Sequence, residues 1–186
     1  MTLERKLADA FQMDEQTWRS HANPLSGWSR VPLLPLFVLC IWSRIWLGWW
    51  VLLPMGLLLI WTWMNPRVFS RPKTKNAWMT KGVLGERFWL NRDRVPVPAH
   101  HRTVPHLLTT LSFVGVAVTA WGLYTLSIWP TVLGTVLALV AKFWFIDRMV
   151  WLYDDCQNKP EYNEWMSPAE PERHKRYKRN ERYQRQ

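Results

Sequence analysis

The side chains best suited to chemistry collect in two parts of the chain. His100, His101 and His106 fall close together, with Glu86, Arg87 and Arg92 shortly before them. Asp147, Arg148 and Asp154 follow some forty residues later, and Lys142 precedes them in an apolar run. Imidazoles with carboxylates are the raw material of metal sites and of general acid–base pairs. The spacing does not complete either. HHxxxxH differs from the HxxxH and HxxHH boxes that hold two irons in membrane desaturases, and only Glu86, Asp147 and Asp154 could add ligands. KGVLGER is no phosphate loop, because it lacks the GK[ST] ending. Cys40 and Cys156 are too few for a disulfide framework or a zinc site. The expectation is therefore a polar cluster of Glu86, Arg87, Arg92, His101, Asp147, Arg148 and Asp154 that acts as an ion-pair network pinning one segment beneath another. A substrate or proton site in the same place is the sharper alternative. No catalytic residue, cofactor or metal is assigned.

What positions these residues is a pair of apolar blocks. From Pro32 to Met64 the chain is broken only by Ser43, Arg44 and Thr62. As one helix it would run to about 50 Å, against a hydrocarbon core of about 30 Å, so it must fold back, as two short spans or, in the competing reading, as a re-entrant hairpin that never crosses. The break belongs near Ser43 to Trp50, where Arg44, Gly48 and three Trp residues gather. Pro105 to Tyr153 is again too long for one crossing, and Leu126 to Pro130 supplies its turn. Spans are expected at about 31–46, 49–65, 105–126 and 130–150. Pro32 and Pro35 suit a first helical turn, whereas Pro54 should kink its span. Gly115, Ala117, Ala120, Gly122, Gly134, Ala138 and Ala141 allow close helix approach.

The fold class that follows is all-α and integral to a membrane: four transmembrane helices as two hairpins joined by a basic cytoplasmic loop. Its parts are an N-terminal segment (1–30) with a short amphipathic helix at Leu3, Leu7, Ala10 and Phe11, a first hairpin (31–65), a loop (66–104), a second hairpin (105–153) and a basic tail (154–186). Of the forty residues from Asn65 to Val104, nine are Lys or Arg and two are acidic. The turns within the hairpins hold one basic residue, Arg44. Basic residues stay on the cytoplasmic side, which puts both termini and the loop there. The net charge of +10 has its origin in this asymmetry, and nucleic acid is not the expected partner. Within the loop, Ala77–Trp78–Met79, Val83–Leu84 and Phe88–Trp89–Leu90 suit a short interfacial helix. Gly82 and Gly85 would make it unstable alone, so packing must hold it. The tail residues Arg173, Lys175, Arg176, Lys178, Arg179 and Arg182 are candidate contacts for anionic lipid or an acidic protein partner.

Four strings, HANPLSGW, NPRVF, KGVLGERFWLNRDRVPVP and DRMVWLYDD, together resemble an uncharacterised family of small bacterial integral membrane proteins with no assigned function. The resemblance covers residues 18–155. It implies a four-span protein of the bacterial inner membrane and carries over no catalytic residues.

A transporter would need polar side chains near the bilayer midplane, where Thr109, Thr110, Ser112 and Thr119 are the main candidates. An enzyme would need a convergent set. The residues favour a non-catalytic docking or structural subunit that uses its loop and tail, as a homo-oligomer or with a protein partner. A membrane-embedded enzyme on a lipid-soluble substrate and a small transporter are the alternatives.

Overall fold

The computed structural model describes residues 15–72, 74–92 and 96–159. The expected amphipathic helix before residue 12 and the basic tail contacts from Arg173 to Arg182 lie outside the described residues. The chain divides into two compact units, Met1–Asp154 and Asp155–Gln186. The described part is all-helical. Its helices are α1 (Glu15–His21), α2 (Pro24–Trp28), α3 (Leu33–Trp42), α4 (Arg44–Leu47), α5 (Leu52–Val68), α6 (Trp78–Leu90), α7 (Thr103–Tyr124) and α8 (Ile128–Cys156). Three helical stretches, Pro24–Val68, Ala99–Tyr124 and Ile128–Cys156, are long and apolar enough to cross a bilayer.

The first stretch bends where the expected break lies. Gly48 takes φ +53°, a left-handed value that only glycine adopts freely, and a 3₁₀ turn over Gly48–Val51 restarts the helix as α5. Because α5 begins at Leu52, Pro54 falls in its first turn, where a missing N–H costs nothing, and the expected deep kink has no cause. The chain then returns alongside itself. Cys40 Sγ donates to the Val51 carbonyl, α3 packs on α5, and the two ends meet through polar contacts. Ser26 Oγ donates to Asn65 Oδ1 at 2.8 Å, and Asn65 Nδ2 donates to Ser29 Oγ at 2.7 Å. Asn23 caps α2 by accepting from the Leu25 N–H while its Nδ2 donates to the Ser70 carbonyl. HANPLSGW and NPRVF are thus the two halves of one latch.

The helices α7 and α8 pack through small residues. Positions 105, 108, 112, 115, 119 and 122 repeat at alternating intervals of three and four, as do 131, 134, 138, 141 and 145, so each helix presents one seam. A Cβ on Gly115 would lie 2.6 Å from the Ala138 nitrogen, and one on Gly122 or Gly134 would collide with Thr131 or Thr119 across the seam. Ala117 and Ala120, expected in the same seam, face outward instead. Arg44 donates to the Leu123 carbonyl near the C-terminal end of α7, which ties the turn of the first stretch to the second.

The helix expected to lie in an interface is the most buried of all. Met79, Thr80, Val83, Leu84, Phe88 and Trp89 of α6 are all buried. Gly82 lets Ile146 approach, and a Cβ on Gly85 would overlap the Met149 carbonyl of α8. Gly27 of α2 is likewise filled by Met79. Trp28, Trp78 and Phe143 form a mutually contacting aromatic set joining α2, α6 and α8, and Phe88 stacks on Tyr153. Packing supplies what two glycines remove.

Candidate functional site

Three polar contacts bridge α6 and α8. Lys142 Nζ lies 2.9 Å from Glu86 Oε1, Lys81 Nζ lies 2.8 Å from Asp154 Oδ1, and the Trp78 indole donates to Asp147 Oδ1 at 3.2 Å. Of the polar cluster read from the sequence, Glu86, Asp147 and Asp154 take part in these contacts. Glu86 and Asp154 meet lysines, and Asp147 meets an indole. The Arg92 guanidinium covers the Trp89 ring and donates to the Trp89 carbonyl, and Arg148 covers the Trp151 ring. His101 is buried against His100, whereas His106 abuts the edge of Trp89. The carboxylates considered as extra metal ligands, Glu86, Asp147 and Asp154, therefore go to three separate partners.

The residues that converge on a cavity are a different set. A cavity of about 470 Å³ lies among α1, α2, α3, α5, α6, α7 and α8; its titratable groups are His21, Arg30, Glu86 and Lys142, and Thr62 and Ser112 add hydroxyls. Its apolar lining includes Val31, Leu34, Val83, Val116, Leu139 and Phe143. Arg30 Nη1 donates to His21 Nε2 at 2.6 Å, and Arg30 Nε donates to the Ser26 carbonyl at 2.9 Å. A guanidinium cannot accept a hydrogen bond, so His21 Nε2 is the acceptor and the neutral ring carries its proton on Nδ1. Burial, then the charges of Arg30 and Lys142, hold the His21 pKa well below 6.5. For Glu86, burial works to raise the pKa, but the charge and hydrogen bond of Lys142 and the charge of Arg30 outweigh it and hold the carboxyl below 4.5. At neutral pH the polar end of the cavity holds two cations, one carboxylate and one neutral imidazole. The Lys142 side chain is 49% exposed and that of Glu86 24%, so the cavity is open beside this pair. A second cavity of about 310 Å³ shares Glu86, Ser112, Val116 and Lys142 and extends to Trp89, Phe113 and Phe145.

Sequence reasoning placed Glu86 in a cluster and singled out Lys142, but left His21 and Arg30 out. Arg30 has only the signal of its position at the margin of the first apolar block, and His21 has none beyond its place before the Asn23–Pro24 break. Asn65 was also missed, although an Asn-Pro pair closing an apolar run is itself unusual.

Geometry of this kind defines an all-helical protein whose long apolar helices surround a polar-ended cavity. The chain belongs to DUF6653, a family of unknown function whose model matches residues 2–171. No curated protein and no solved structure matches the chain.

Proposed function

We propose that this is a four-span integral membrane protein, non-catalytic, that binds one lipid-soluble molecule in the cavity between its hairpins. The observation that carries the reading is the convergence of Arg30, His21, Glu86 and Lys142 on one mainly apolar cavity. Ligand sites are mostly apolar concavities with a few convergent polar groups, and charged groups at membrane depth face protein or a cavity. The membrane setting is supported by the outward-facing apolar side chains of α3, α5, α7 and α8 and by Trp46, Trp49 and Trp50 at the α4–α5 turn, as in an interfacial belt. The helices α7 and α8, of 22 and 29 residues, are about 33 and 43 Å long, enough to cross. The run Pro24–Trp42 and α5 are each shorter than 30 Å and would form the first pair of spans. Both termini and the 66–104 segment lie on the cytoplasmic side in this reading, because the basic residues do.

Orientation is tested with single cysteines in a chain lacking Cys40 and Cys156, labelled on whole cells with an impermeant thiol reagent. Trp46→Cys should label, and Lys75→Cys, at an exposed loop position, should label only after permeabilisation. The reverse pattern would overturn the orientation. Binding is tested by purification in mild non-ionic detergent and native mass spectrometry, where a retained small amphiphile is expected.

Docking is the second reading, supported by the basic composition of the loop and tail. The aromatic face of α6 is buried within the fold, so this role falls to residues 157–186. A stoichiometric protein partner lost on deleting those residues would carry it.

A further inference from the structure

Apart from Glu86 Oε2, an acceptor, the charged and buried polar groups left over around the cavity have one character. Arg30 has five N–H donors; Nε and Nη1 serve Ser26 and His21, and the structure gives Nη2 no partner. His21 Nδ1, which carries the ring proton, is buried with no partner. The Trp89 indole nitrogen, beside the adjoining cavity, is likewise buried and unpartnered. Lys142 uses one of its three protons on Glu86. Every one of these groups is a donor, and Arg30 and Lys142 together exceed Glu86 by one positive charge. A buried donor without an acceptor is costly, and a site with surplus donors and surplus positive charge is complementary to an oxyanion.

We infer that the cavity takes an amphiphile with an anionic oxygen headgroup, a carboxylate or a phosphate, seated against Arg30, His21 and Lys142 with its apolar chain along Val116 and Leu139. This rests on the ligand-binding reading above and adds the chemistry of the headgroup. The apolar part of the lining has the right placement: Leu139 is one turn of α8 from Lys142, and Val116 is one turn of α7 from Ser112, toward the interior of both helices. The open side beside Lys142 and Glu86 lets a molecule enter laterally without unfolding the bundle. Glu86 holds Lys142 in place when the site is empty and prevents two bare cations from facing each other.

The test uses the full chain in non-ionic detergent, with native mass spectrometry for stoichiometry and thermal unfolding for affinity. The probes are oleate, oleoyl lysophosphatidate, oleyl alcohol and inorganic phosphate. One acidic amphiphile should bind per chain, and the alcohol should bind about tenfold or more weakly, the factor expected for one lost charge-assisted bond. Arg30→Gln should lower binding of the acids by about the same factor while leaving the alcohol unchanged. Leu139→Trp fills the apolar end and should exclude both acids and alcohol, which keeps the test informative if Arg30→Gln does not fold. Equal binding of oleate and oleyl alcohol would overturn the headgroup assignment and leave the cavity reading standing. Phosphate binding without amphiphile binding would overturn the lipid character, and no saturable binding by any probe would overturn both.

Discussion

Two regions of this molecule exchange the places their compositions suggest. The α6 helix carries Lys81, Glu86 and Arg87 and two glycines, yet most of its side chains are buried. The stretch from α3 to α5 is almost wholly apolar, yet Leu39, Leu53, Leu57 and Leu59 face outward, and Trp49 is 86% exposed. In water this inversion would be untenable, since a contiguous apolar surface of that size invites association. If lipid is the solvent, it is the ordinary arrangement. The first stretch would then need no partner, because acyl chains would serve, whereas the mixed polar and apolar helix must find one inside the protein. Burial here follows from polarity rather than from its lack.

The sharpest way to break this contrast is a pair of glycine substitutions. Gly85→Ala drives a methyl into the Met149 backbone and should cost more than about 3 kcal/mol, enough to prevent recovery of folded protein. Gly56→Ala has nothing within 4 Å of the new methyl and should stabilise α5 by about 0.5–1 kcal/mol. Thermal unfolding in detergent reads both, and equal effects would mean that α6 is not the packed centre. Next in size is a tryptophan pair. Trp89→Ala, at a site 1% exposed, should cost about 3–5 kcal/mol, and Trp49→Ala should leave the detergent-solubilised Tm nearly unchanged.

Asn65→Ala comes third. Asn65 is fully buried between Ser26 and Ser29, and its loss leaves their hydroxyls short of a partner, at about 1–3 kcal/mol. Limited proteolysis should then cut more readily between residues 15 and 30, since the latch holds α2 to the end of α5. Cleavage unchanged from the parent would mean that the aromatic set of Trp28, Trp78 and Phe143 suffices alone.

The smallest effect expected is on pH dependence. His21 has its pKa lowered in the fold, so the unfolded chain binds the proton more readily. Its contribution is intact above about 6.5 and declines as the pH falls below that value. Glu86 is also lowered, and its contribution is lost at a lower pH, as the pH falls below about 4.5. A Tm profile should therefore show two successive declines on acidification, and His21→Gln should remove the upper one alone. A single decline near 4.5 in the parent would mean that the imidazole is solvated.

How far the sequence reached follows from distance along the chain. The break at Gly48, the turn after Tyr124 and the small-residue seam of α7 and α8 are local or strictly periodic, and they were legible. Pro54 was misjudged by a few residues because the point where α5 restarts is set by the Gly48 turn. The cavity was not legible. His21 and Arg30 meet Glu86 and Lys142 only through folding, and no spacing announces contacts between residues 56 apart. The identity of each partner was equally hidden: a lysine for Glu86 and an indole for Asp147 follow from side-chain reach across the α6–α8 contact.

That contact has a consequence for how the protein is made. Trp78, Lys81 and Glu86 leave the ribosome 56 to 73 residues before Asp147, Asp154 and Lys142, the groups they will bind. At about 5–20 residues per second the delay lasts several seconds, during which Met79, Val83, Phe88 and Trp89 have no cover from α8. The nascent helix needs somewhere to wait, and in the proposed membrane setting the bilayer surface would be the nearest apolar shelter. The interfacial helix suggested by its sequence would then describe a stage of biogenesis, ended when α7 and α8 arrive and draw α6 inward.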